Sequence, residues 1–312
     1  MTKGDEWPRI AVVGAGAVGG YFGGMFAHAG APVVMIGREQ FVDAVKRNGL
    51  VLDRPQARER ISVEATVDIS AVRDAELILF CVKSMDTSLA ATQMAPFLAR
   101  DATVVSLQNG VDNVDRIREA ANISAFAAAV YVAVSVPEPG HVKHLARGDV
   151  IVGPPGDETK YLADIFGRAG IRCQISNNIE GELWVKLLCN CALNAISAVG
   201  HARYGQIAEN SDARQLMETV VEEVLAVARA AKVILPDIAD TKAGMAAAME
   251  IATQMAGALS STAQDLDRGR PTEIDSLNGY VFRRGAELGV DVPVNHALFT
   301  LVKLAEQRLS ST

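Results

Sequence analysis

The sequence holds little that would suit a metal ion, a nucleic acid or a membrane. Among 312 residues only four are cysteine and five histidine. Cys81, Cys173, Cys189 and Cys191 show no CxxC or zinc-type spacing, so they read as reduced core thiols of a cytoplasmic protein. His141 and His144 lie three apart, on opposite faces of a strand, and read as structural; no metal site is expected. Basic residues are in deficit, 30 against 37 acidic ones, for a formal charge of −7. That disfavours a nucleic-acid partner, which needs clustered basic surface. It also means that an anionic ligand must find local positive charge, so the few Lys and Arg inside motifs become candidates. The longest apolar run, 125–134, falls short of the ~20 residues of a bilayer span. The acidic-polar N-terminus leads straight into a first strand, and no signal peptide is read there.

What is present is ordinary globular material, with 49% hydrophobic and 21% charged residues. A chain this long is expected to form two domains, because single cores rarely grow much beyond ~250 residues. The stretch from Arg9 to Arg38 organises the first. A β-branched apolar run, Arg9 to Val13, reads as a buried parallel strand. Gly14-Ala15-Gly16-Ala17-Val18-Gly19 follows, then a helical stretch to His28 and a second apolar run, Val33 to Ile36. Together these make a βαβ unit with the dinucleotide-binding fingerprint. Gly14 makes the tight turn, Gly16 lets a pyrophosphate approach, and Gly19 lets the helix pack on its strand. The helix N-terminus offers N–H groups and a positive dipole end to the phosphates. Arg38 stands where NAD enzymes usually place an acid, and a guanidinium suits the 2′-phosphate of NADP(H); adjacent Glu39 keeps NAD open.

Further strands are expected at 77–82, 103–107 and 126–136, followed by a hairpin within 140–153. Ligands of open α/β sheets sit at the carboxyl ends of strands. Lys83 and Asn109 occupy such ends. Lys83 would meet a cofactor or stand as a surface lysine; Asn109 would touch nicotinamide or substrate, or simply make an Asn-Gly turn. Near Asn178 strand-like runs stop and helical patterns begin, which puts the domain boundary between residues 177 and 178: domains 1–177 and 178–312. On the first helix of the second domain, Lys186, Asn190 and Asn194 recur every fourth residue and line one stripe among apolar neighbours. Such a stripe needs partners, either in a substrate groove or in a polar seam with the other domain. One long helix is expected over 245–267, broken at Gly269-Arg270-Pro271. Thr272 would then cap the next helix with Asp275 in capping-box position, and Glu273 would lie in its first turn.

These motifs, in this order, resemble the ketopantoate reductase (2-dehydropantoate 2-reductase) family over essentially the whole chain. The residues that carry the likeness are Gly14–Gly19, Arg38, Lys83, Gln108-Asn109-Gly110, Trp184 to Leu187 with Asn190 and Asn194, and Ser261 through Asp275. The resemblance implies an α/β chain: a Rossmann-type dinucleotide-binding domain, then an all-α domain. It implies NADPH-dependent reduction of a small 2-oxo acid, 2-dehydropantoate, to pantoate on the route to pantothenate and coenzyme A. Lys186 would be the general acid. Glu273 would bind substrate or orient the lysine, and Asn109, Asn190, Asn194 and Ser261 would position substrate. Arg38 would take the 2′-phosphate, with Lys83 beside the cofactor. Tyr204-Gly205 departs from the pattern, which often carries a substrate-binding Asn there. Rival readings are an NADP-dependent reductase of another branched 2-oxo acid, an oxidative hydroxy-acid dehydrogenase like the 6-phosphogluconate type, and a non-enzymatic dinucleotide sensor. The apolar helices of the second domain offer a homodimer interface.

Overall fold

The computed structural model describes residues 6–310; the ends of the two expected domains, residues 1–5 and 311–312, lie outside the described residues. The chain divides into two compact units. The first comprises 1–108 and 112–179, the second 109–111 and 180–312.

The first unit alternates strand and helix: β1 (Ile10–Val13), α1 (Ala17–His28), β2 (Val33–Ile36), α2 (Glu39–Asn48), β3 (Leu50–Arg54), β4 (Ala57–Ile61) and β5 (Glu64–Thr66). Then come β6 (Leu77–Phe80), α3 (Thr87–Met94), β7 (Thr103–Ser106), α4 (Asn113–Ala121), β8 (Phe126–Glu138), β9 (His141–Val152), α5 (Asp157–Arg168) and β10 (Cys173–Ile175). They build one mixed sheet in the order β4-β3-β9-β8-β7-β6-β1-β2-β5, with β10 beside β9. The segment β7-β6-β1-β2 is parallel throughout. All residues of β1 and β6 are buried, as the unbroken apolar runs require of strands covered on both faces. Phe22, Phe26 and Phe166 pack edge-to-face against one layer, while Phe80, Met94 and Ile117 fill the other.

Two expectations change here. The hairpin is not inside 140–153, because β9 runs unbroken through it and pairs antiparallel with β8. The polar 144–149 stretch accommodates a bulge instead: Tyr131 opposes Asp149 and Val132 opposes Arg147, leaving Gly148 unpaired. Its left-handed φ of 136° and the Tyr21 hydroxyl packed where a Cβ would stand explain the glycine.

The second unit is helical: α6 (Ile179–Gly200), α7 (Tyr204–Glu209), α8 (Ser211–Ala230), α9 (Thr241–Gln254), α10 (Ser261–Asp267), α11 (Asn278–Leu288) and α12 (Pro293–Ser310). At its centre lies α6, with Leu187, Leu188, Cys191, Ala192 and Ala195 fully enclosed by α8, α9, α11 and α12 side chains. By length and apolarity it is the one described helix that could cross a bilayer, but 72% of its most apolar 18-residue window is buried inside the protein. Burial pushes the Cys191 thiol up, so it stays protonated as a small core hydrophobe.

The long helix expected over 245–267 is two. It stops at Gln254 because the carbonyls of Ala256 and Ala258 accept the Gly205 and Tyr204 N–H groups, and it restarts where the Ser260 hydroxyl caps Ala263. Likewise the Thr272 hydroxyl accepts only the Ile274 N–H of a 3₁₀ turn, 274–276, whose N-cap is Glu273; the helix proper waits until Asn278, past the non-helical Leu277. Asp275 is not its capping partner. Glu306 accepts the Thr272 N–H and hydroxyl, and Asp275 pairs with Lys303.

One buried carboxylate organises the packing of α8 on α12. Glu223, 7% exposed, accepts the Val294 N–H (2.9 Å), the Asn295 N–H (2.8 Å) and the Asn295 side-chain amide (2.8 Å). It thus caps a helix 71 positions away in the dipole's favoured sense. Glu223→Ala is expected to destabilise the protein by about 2–4 kcal/mol in urea titration, through stranded N–H donors, without altering dinucleotide affinity.

Candidate active site

In the first unit the sheet order aligns the expected cofactor residues. The parallel strands β6, β1 and β2 are neighbours, so their carboxyl ends emerge side by side: Lys83 after β6, the glycine loop after β1, and Arg38 after β2. The chain reverses direction across the sheet between β1 and β6, the crevice where open α/β sheets bind ligands. Two basic residues therefore follow the strands on either side of the glycine loop. Arg38 is exposed, Lys83 half-buried.

The three glycines differ in what they demand. Gly14 has φ 98°, and a Cβ there would sit 2.6 Å from the Val82 nitrogen. A Cβ on Gly19 would come within 2.2 Å of the Gly14 carbonyl. Both are fixed by backbone packing. Gly16 is exposed, has an ordinary negative φ, and faces open space. It is also the N-cap of α1, and no side chain caps that helix. An anion arriving there meets uncapped N–H groups with no Cβ in its way. The residues fit a dinucleotide pyrophosphate. Burial pushes the Cys81 thiol beside this loop up, so it keeps its proton.

A side-chain network beneath these loops was invisible as a motif. Gln108, buried after β7, donates to the Val82 carbonyl (3.0 Å) and the Thr87 hydroxyl (2.8 Å) and accepts from Ser106 (2.9 Å). Thr87 in turn donates to Asn113 (3.1 Å). One amide thereby ties the carboxyl ends of β6 and β7 together. Only the Gln-Asn-Gly tripeptide hinted at it.

Gln108 belongs to the first unit and the next three residues to the second, where Val111 packs on the helical core. Within that unit the Asn109 amide donates to a Glu273 carboxylate oxygen at 2.9 Å, across 164 positions of sequence. The structure brings these two expected site residues together. Glu273 is 9% exposed and opens the 3₁₀ turn fixed by Thr272 and Glu306.

Along α6 the expected stripe stands as spaced, with Lys186 and Asn190 half-buried and Asn194 2% exposed. The Asn190 side chain makes no hydrogen bond among the described residues. That of Asn194 makes one, accepting the buried Tyr204 hydroxyl at 2.7 Å. Ser261 is exposed at the first turn of α10. The neighbouring Ser260 is the buried one, donating to the Asn194 carbonyl (3.0 Å) and capping Ala263.

Residues 10–157 match the model of the family described as "Ketopantoate reductase PanE/ApbA", and residues 178–306 match its C-terminal counterpart. The chain belongs to the ketopantoate reductase family. Among its relatives, the 2-dehydropantoate 2-reductase of Pyrococcus horikoshii is 31% identical over 96% of this chain and 97% of its own. A PanE/ApbA family ketopantoate reductase from Ralstonia eutropha JMP134 has a solved structure that is 46% identical. It superposes with a TM-score of 0.90 over 97% of this chain and 99% of that one. A D-mandelate dehydrogenase solved with NADH and anilino(oxo)acetate is 25% identical, with a TM-score of 0.90 over the same shares.

The glycine geometry separates folding from binding. Gly16→Ala should leave thermal stability unchanged within about 0.5 kcal/mol while weakening dinucleotide binding at least about tenfold by fluorescence titration. Gly19→Ala should weaken both, because its methyl meets backbone and overpacking costs about 1–3 kcal/mol.

Proposed function

We propose that this protein is an oxidoreductase that reduces 2-dehydropantoate to pantoate with NADPH, a step toward pantothenate and coenzyme A. The observation that carries the reading is the presence in one chain of an uncapped glycine-loop helix, with Arg38 and Lys83 on the neighbouring strand ends, and of a second unit bearing Lys186, Asn190, Asn194 and the Asn109–Glu273 pair. The names of the family's curated relatives support the substrate.

In this reading Gly14 to Gly19 hold the pyrophosphate, Arg38 pairs with the 2′-phosphate, and Lys83 and Asn109 lie against the cofactor. A reduced nicotinamide supplies the hydride. Hydride addition to a ketone builds negative charge on oxygen, so an ammonium that donates to that oxygen stabilises the transition state more than the ground state. Lys186 is assigned that role and gives up the proton as the alcohol forms. Glu273, held by Asn109, accepts a substrate hydroxyl or orients the lysine. The amides of Asn190 and Asn194, with Ser261, fix the substrate and so align its carbonyl.

A second reading has its own support. The D-mandelate dehydrogenase likeness, with NADH in that structure, fits reduction of another 2-oxo acid, and Tyr204 gives this chain a bulkier wall than an asparagine would.

The test is oxidation of NADPH and NADH by the purified protein across aliphatic and aromatic 2-oxo acids. The proposal expects 2-dehydropantoate to give the highest kcat/KM; a preference for an aryl 2-oxo acid would overturn it in favour of the second reading. Arg38→Ala should raise the KM for NADPH about 10–100-fold, the loss of charge-assisted bonds, and leave that for NADH nearly unchanged.

A further inference from the structure

We propose that Tyr204 is a positioning residue for substrate recognition: its hydroxyl fixes the amide of Asn194 so that the nitrogen, and not the oxygen, is offered to the substrate. The inference rests on the reading of the α6 stripe as substrate-binding.

An asparagine amide can present either end. Oxygen and nitrogen exchange places by a half-turn of the terminal torsion, and shape alone hardly distinguishes them. A donor on one side decides the matter. The Tyr204 side chain is 6% exposed, and its only hydrogen bond among the described residues is the one to the Asn194 side-chain oxygen. Burial raises the phenol's pKa well above its ordinary value, so the hydroxyl keeps its proton and remains a donor. Turning the amide over would make the phenol oxygen the acceptor and leave its buried proton with nothing to donate to, a state disfavoured by about tenfold or more.

Both residues are held from behind. Tyr204 is anchored by its own N–H to the Ala258 carbonyl (3.0 Å) and by the following N–H of Gly205 to Ala256 (2.9 Å). The Asn194 carbonyl accepts from Ser260 (3.0 Å). The Ser260 N–H reaches the Ser197 hydroxyl (3.1 Å), which donates to Ala202 (2.7 Å). The kink between α9 and α10 therefore has a use: it supplies the carbonyls and the serine that clamp this pair. What remains is the Asn194 amide nitrogen, with no partner among the described residues, one turn along from Asn190 and two from Lys186.

The consequence is a rule for the ligand. It must bring an oxygen acceptor, a carboxylate, carbonyl or hydroxyl oxygen, to the Asn194 end of the stripe. A group that can only donate is rejected there.

The test is a double-mutant cycle on the 2-oxo acid that the native protein reduces best, with KM and kcat measured for Tyr204→Phe, Asn194→Ala and the pair. Tyr204→Phe should raise KM about fivefold to tenfold with a much smaller change in kcat, the scale of one hydrogen bond. In the Asn194→Ala background the same change should do nothing further. Equal effects in both backgrounds, or no change in KM, would overturn the proposal, since a purely structural tyrosine acts independently of Asn194. Asn194→Asp adds a check that keeps the phenol's acceptor: it removes the donor, and KM should rise at least tenfold, whereas unchanged KM contradicts the donor role. If the native protein reduces no 2-oxo acid at all, the proposed function falls and this inference with it. If it does and the cycle is additive, only this inference falls.

Discussion

A core helix that carries a lysine and two asparagines at four-residue intervals is the constraint on which the second unit depends. Each buried amide group without a partner costs on the order of 1–3 kcal/mol, against a total stability of about 5–15 kcal/mol for a domain. Helix α6 accepts part of that cost at its two asparagines and is otherwise wrapped in Leu, Val, Ala and Met side chains. Asn190 is half-buried, so water offsets part of its cost; the Asn194 side chain is satisfied on its oxygen alone. In the proposed reading, an oxygen-rich substrate would turn the two asparagine donors from a defect into a use.

The same economy governs the first unit. Its sheet places three loops in a row at one edge, and the residues proposed for a dinucleotide include those that leave backbone accessible: an exposed Gly16 and an uncapped α1, with Arg38 and Lys83 on the neighbouring strand ends. Rigidity comes from beneath, through Gln108 and its bonds to β6 and α3. Supports of this kind tie neighbouring loops together and fix the backbone on which a site can be built.

Much of this was legible before any coordinates. The βαβ unit, its strand ends and the start of α6 follow from period, glycine spacing and apolar runs, which are local properties. The polar stripe was legible because lysine and asparagine inside an apolar helix break its pattern. The errors were tertiary in origin. The kink at 255–260 exists because α7 needs the carbonyls of Ala256 and Ala258 as acceptors, a demand set by residues 50 positions away. The β9 bulge answers to Tyr21 on α1. Glu306, not Asp275, serves Thr272 because α12 passes close by. Likewise Gln108, Ser260 and the Tyr204–Asn194 bond carry no motif of their own; each is identified only by what it touches.

The account turns on an ammonium group at position 186 acting on the ketone oxygen. The most direct measurement is kcat for Lys186→Ala with 2-dehydropantoate and NADPH, alone and with added methylammonium. A fall of about 10²–10⁴, the usual contribution of a positioned proton donor, is expected, with dinucleotide affinity nearly intact and part of the lost rate returning as the small amine is added. A variant that turns over as fast as the native protein would contradict it.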